Sequence, residues 1–184
     1  MYSKEWHQTR RARLCDDELA RRTNILNEMN NGGLAAQRMS GSIDKLIQFY
    51  GTLSYEKPPL ELIYGHQADM ILDKYQLGEG GLFALTNSPD RIEKCIICIG
   101  LRHGLAYVLS SLVHEYYHYV QVQKIGAIYL RMPDTTREFL CNKWANEVFL
   151  KYLKFGDTAI MYYILNAKSF YNPDEVKNDR TVLQ

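Results

Sequence analysis

The chain has 184 residues, 46% of them hydrophobic and 23% charged, which suits one sizeable core and excludes a disordered polyampholyte. A formal net charge of +1 argues against a partner held by bulk charge, nucleic acid in particular. No run of eighteen apolar residues exists and the N-terminal stretch lacks the apolar core of a signal peptide, so no membrane span is expected and an intracellular, cytoplasmic chain is the expectation.

Residues 4 to 30 read as a long polar helix, its arginines (Arg10, Arg11, Arg13, Arg21, Arg22) offset by Glu5, Asp16, Asp17, Glu18 and Glu28. A solvated face of mixed charge is the plainer reading of it than a nucleic-acid surface. "NNGG" at 30–33 ends it. A second helix covers "SGSIDKLIQFYGTL", with Ile43, Leu46, Ile47 and Tyr50 at helical spacing. "EKPP" breaks that pattern, "LELIY" at 60–64 reads as a strand, and "HQADMILDKYQLG" as a short helix or irregular link. "GGLFALTN" and "EKCIICIG" are strands separated by "SPDRI", which predicts an antiparallel pair.

An amphipathic helix is expected from Gly104 to about Lys124, stopped by Gly126, with "AIYLRMPD" as a loop. A further helix starts at Asp134 or Thr135 and runs through "REFLCNKWANEVFLKYLKFG". Asp157 is placed to cap the last one, "TAIMYYILNAKSFY". The order predicts an α+β fold, a small antiparallel or mixed sheet packed on helices. It divides into an N-terminal helical segment at 1–55, a core at 56–172 and a polar tail at 173–184.

Cys95 and Cys98 have the spacing of half a zinc knuckle, but no second pair completes a four-ligand site. In a strand they point to opposite faces, so they read as core cysteines.

The chemistry lies in "LVHEYYHYVQ" at 112–121. His114 and His118 are four residues apart, so on a helix they lie about 40° apart on one face and can reach one metal ion. Glu115 sits beside them, placed to face a water on that ion. The bland alternative is a pair of core histidines satisfied by neighbours. A catalytic zinc site needs a third protein ligand and an open position. Glu138, twenty residues after His118 in the first turn of the next helix, returns to the histidines if the two helices pack antiparallel. Asn142 shares its face, one turn on, and is placed to accept a hydrogen bond from the outer nitrogen of a ligand histidine. Glu147 is a rival third ligand, whereas His103 lies too far down the helix axis to share the ion. Tyr107, Tyr116, Tyr117 and Tyr119 read as packing rather than as the wall of a groove.

HEYYH followed by "REFLCNKWA" resembles the small glutamate-zincin (minigluzincin) metallopeptidases of the ImmA/IrrE type, which carry H-E-x-x-H on one helix and E-x-x-A-N-x-F-A on the next. Glu138, Asn142 and Ala145 match; Cys141 stands for the first alanine and Trp144 for the phenylalanine. The resemblance covers roughly residues 60 to 155 and implies a zincin-like core, Zn²⁺ on His114, His118 and Glu138, Glu115 as general base, and a protein or peptide substrate. The competing expectation is a non-catalytic regulatory or partner-binding protein on the same scaffold.

Overall fold

The computed structural model describes residues 4–30, 36–78 and 80–172, with side chains from residue 16 onward. The stop expected at 31–33 and the polar tail from 173 lie outside the described residues. The elements are α1 (Lys4–Glu28), α2 (Ala36–Thr52), β1 (Leu60–Tyr64), α3 (His66–Lys74), β2 (Gly81–Ser88), β3 (Arg91–Ile99), α4 (Leu105–Ile125), α5 (Ile128–Arg131), α6 (Asp134–Phe155), α7 (Asp157–Leu165) and α8 (Ala167–Phe170), with one 3₁₀ turn at Leu53–Tyr55. The fold is α+β, mostly helical. No helix among the described residues is long and apolar enough to cross a membrane.

The sheet is mixed, three strands in the order β1-β3-β2. β2 and β3 pair antiparallel from Gly81↔Ile99 to Ser88↔Arg91, with a register shift between Thr86 and Asn87. β1 lies parallel to β3 from Leu60↔Cys95 to Tyr64↔Ile99. The unbroken apolar run "CIICI" suits the middle strand, whose two faces are both covered. Cys95 and Cys98 are accordingly free, buried core residues.

α4 is the centre of the molecule. Every residue from Val108 to Val122 is buried, so the helix is covered on all sides rather than amphipathic as expected. β2 and β3 lie on it, with α2 and α6 on its other flanks. Two tyrosines tie it to the N-terminal half. Tyr50 of α2 stacks on Tyr116 at 5.0 Å and donates to the Leu112 carbonyl at 3.0 Å. Tyr119 donates to the Pro58 carbonyl at 2.9 Å, just before β1. The buried cluster runs without a break from Ile25 of α1 and Met29 just beyond it through α2 into β1, β3, α4 and α6, across the division drawn at residue 55.

Gly126 ends α4 at φ +54°, a conformation that favours glycine, and its N–H still bonds the Val122 carbonyl at 2.8 Å. The stretch expected to be a loop contains α5, a single turn that ends at Met132 because the residue before a proline is pushed to extended backbone. Pro133 then opens α6, accepting the N–H groups of Thr136 and Arg137 at 3.0 and 3.1 Å. Asp157 does not cap α7; its carboxylate accepts from Ser42 at 2.5 Å and Lys45 at 2.9 Å, fastening α7 to α2. The expected last helix is two pieces. The Asn166 side-chain amide donates to the Tyr162 carbonyl at 2.8 Å, competing with the backbone where α7 stops.

Candidate metal centre

α4 and α6 pack together. Tyr117 stacks on Trp144 at 4.5 Å, while Gln121, one turn further along α4, donates to the Arg137 carbonyl and to Cys141 Sγ, each at 3.4 Å. Advancing along α4 therefore means retreating along α6, so the helices run antiparallel. That brings the first turn of α6 back to the middle of α4.

Glu138 meets both histidines there. His114 Nε2 is 3.1 Å from Oε2 and His118 Nε2 is 3.1 Å from Oε1. Three donors held tetrahedrally on zinc at about 2.0–2.2 Å stand roughly 3.3–3.5 Å apart. The two His–Glu spacings, each to a different carboxylate oxygen, are hydrogen-bond lengths slightly shorter than that; they gather two imidazoles and a carboxylate, donors whose chemistry suits a small divalent cation. Both imidazoles are 4% exposed, whereas the Glu138 side chain is 52% exposed, leaving the carboxylate side of the group open to solvent. Burial pushes the Glu138 carboxyl up, but hydrogen bonds from His114 and His118 and the charge on their rings outweigh it and hold the group ionised, well below the usual carboxylate range.

His114, His118 and Cys141 also offer donor atoms within 4.8 Å of one another, a buried group that could hold a metal ion. Burial drives the Cys141 thiol well above its ordinary value, with Glu138 and Glu115 pushing the same way. Cys141 Sγ accepts from the Gln121 amide at 3.4 Å, whereas Glu138 contacts both imidazoles at 3.1 Å.

Glu115 lies alongside, only 8% exposed. It makes no hydrogen bond among the described residues, and His118 Nε2 stands 3.9 Å from its Oε2. Burial pushes its carboxyl up; His114 and His118 pull it down, Glu138 pushes it up, and Arg22 pulls it down. Gly81, at the start of β2, makes room for it. A Cβ on Gly81 would stand 3.0 Å from Glu115 Oε1 and 3.1 Å from Ser111 Cβ. Two residues on, Phe83 stacks on the His118 ring at 5.4 Å. A cleft of about 310 Å³ opens over the group, walled by Gly81, Phe83, Tyr129, Asn142 and, from α1, Leu19 and Arg22.

The outer nitrogen of His118 is held by Tyr129 of α5. Tyr129 Oη lies 3.0 Å from His118 Nδ1, both side chains are buried, and the guanidinium of Arg137 sits 4.7 Å over the Tyr129 ring. Burial keeps that phenol far above its ordinary value, so it remains an O–H. Asn142 is buried and lines the cleft as its helical position requires. Its Oδ1 has no hydrogen-bond partner among the described residues, however, and neither has His114 Nδ1.

Glu147 is turned away and pairs with Arg21 at 2.9 Å. His103 is exposed, bonds the Gly78 carbonyl at 3.1 Å and does not approach the centre. Tyr116, Tyr117 and Tyr119 are buried packing residues, and Tyr107 alone of the four lines the cleft. Tyr129, Phe83, Gly81 and Arg22 carried no local signal for a place here. The short spacing from Gly126 to Pro133 was the one hint that the segment with Tyr129 must fold back on α4. Compared with protein-family models, curated proteins and solved structures, the chain matches none.

Proposed function

We propose that the chain is a zinc-dependent metallopeptidase of the small glutamate-zincin kind. One observation carries the reading. The Nε2 atoms of two buried histidines converge, each at 3.1 Å, on the two oxygens of one carboxylate, with a second, buried carboxylate beside them that makes no hydrogen bond among the described residues. A structural His–Glu–His network has no use for that second carboxylate, and a buried polar group without hydrogen bonds is costly to keep.

His114, His118 and Glu138 would hold the ion. Zinc so held polarises a carbonyl oxygen and makes water acidic near neutral pH. Glu115 takes the proton of the attacking water and delivers it to the leaving nitrogen. Its burial favours that role, since a carboxylate in a dry site holds a proton more readily than one in solvent. Tyr129 fixes the His118 ring through Nδ1, leaving Nε2 for the ion. Among the described residues β2 has a strand neighbour on one side only, and Gly81, Leu82 and Phe83 face the cleft. Unpaired backbone groups of such a strand can pair with an extended peptide, which favours a peptide bond over other substrates.

The test has two parts. Metal analysis of zinc-loaded protein should find a single ion that His118→Ala loses. Digestion of a peptide library, read by mass spectrometry, should show cleavage that Glu115→Gln abolishes while keeping zinc. A protein that stays empty in millimolar zinc removes the reading. A Glu115→Gln variant that retains wild-type cleavage removes the mechanism, and a zinc-bound wild type that cuts nothing favours the partner-binding alternative.

A further inference from the structure

Two neighbouring arginines on α1 have different fates. Arg21 faces outward and is engaged by Glu147 at 2.9 Å and Glu18 at 3.8 Å. Arg22 turns into the cleft. Its Nε donates to Ser110 Oγ at 2.9 Å, and Ser110 is fully buried. The guanidinium carbon lies 5.3 Å from the centre of the Tyr107 ring. This anchoring spends one donor of five and leaves the terminal nitrogens, the pair that matches a carboxylate, without a partner among the described residues. Glu18, one turn back on α1, is occupied by the buried Asn146 amide at 2.8 Å. Arg137, the other guanidinium of the cleft, is already paired with Asp134. The cleft thus contains a pre-oriented cation whose charge acts on Glu115 but whose terminal nitrogens have no ion-pair partner among the described residues.

The position bounds what it could bind. Ser110 precedes His114 by four residues and His118 by eight on one helix, which sets the anchored end of the guanidinium roughly 9 Å along the axis from the midpoint of the paired histidines. An extended peptide advances about 3.3–3.6 Å per residue, so that distance corresponds to about two or three residues. We infer that Arg22, held by Ser110 and Tyr107, is a carboxylate-binding subsite, and that the substrate presents a carboxylate about two or three residues from the bond that is cut. This rests on the hydrolase reading above. It also gives α1, which no part of the family resemblance covers, a share in the cleft.

Three hydroxamates test it on zinc-loaded protein by calorimetric titration: N-hydroxysuccinamoyl-glycinamide with no carboxylate, N-hydroxysuccinamoyl-glycine with a terminal one, and N-hydroxysuccinamoyl-aspartamide with a side-chain one. All three offer the same group to the metal. A charge-assisted fork should make a charged probe bind roughly tenfold tighter than the neutral one, and which charged probe gains separates a chain terminus from an acidic side chain. In Arg22→Gln the ratio of affinities should fall to about one, whereas Arg137→Gln should keep it. If Arg22→Gln does not fold, Arg22→Met is read the same way. Charged probes no tighter than the neutral one on the wild type overturn the subsite, as does a ratio that survives at Arg22 or is lost at Arg137. Failure of all three probes to bind is a different result: it removes the metal reading and the subsite with it.

Discussion

Replacing Tyr129 with phenylalanine isolates one atom of the site. The ring is buried, edge-on to Phe83 at 5.9 Å and beneath Arg137, and phenylalanine keeps those contacts. Only Oη is lost, and with it the partner of His118 Nδ1 at 3.0 Å. His118 is 4% exposed, so water does not readily replace the lost group. A buried nitrogen left unpaired costs about 1–3 kcal/mol. On metal binding, freeing the imidazole to rotate should weaken affinity about ten- to a hundred-fold, or roughly 1.4–2.8 kcal/mol. Zinc competition against a chromophoric chelator measures this directly, and thermal melts of the metal-free proteins report the fold separately. A variant whose zinc affinity stays within about twofold of wild type would refute the orienting role of Tyr129.

Asn142→Ala should weaken zinc binding less than Tyr129→Phe in the same titration, because its Oδ1 bonds neither histidine; a tenfold or greater loss would mean that the amide turns to His114 when the ion binds. Gly81→Ala should lower stability by about 1–3 kcal/mol in urea unfolding, since the added methyl is crowded by Glu115, Ser111 and Ile99 together. It should also slow peptide cleavage by displacing Glu115, and wild-type stability with wild-type rate would contradict the contact. The carboxyl of Asp157 is pushed up by burial, but hydrogen bonds from Ser42 and Lys45 outweigh that and hold it below its ordinary value of 3.8. A depressed folded pKa adds stability that is fully present above the ordinary value and is lost as pH falls through the folded one. The stability gap between wild type and Asp157→Asn should therefore be wide at neutral pH and close in acid. A gap of constant width across that range would show that the charge is not what fastens α7 to α2.

What the sequence determined by itself was whatever depends on local period. Helical spacing set His114 and His118 on one face with Glu115 beside them, and the apolar run of β3 and the turn residues before it produced the hairpin with β2. Glu138 was legible because a short link between two helices forces antiparallel packing, which returns the first turn of α6 to the histidines. The pairing of β1 with β3 was not legible, since parallel strands are joined by intervening structure and leave no turn signature. Tertiary structure also chose the partners. Asn142 had the right helical position, yet Tyr129 reached His118 first, because a turn of helix after Gly126 delivered a phenol across the top of α4. Arg22 looked like one more charge on a polar helix until α1 packed along α6 and turned that side chain over the cleft. Period is written in the order of residues along the chain, whereas a hydrogen-bond partner depends on how distant segments pack against one another.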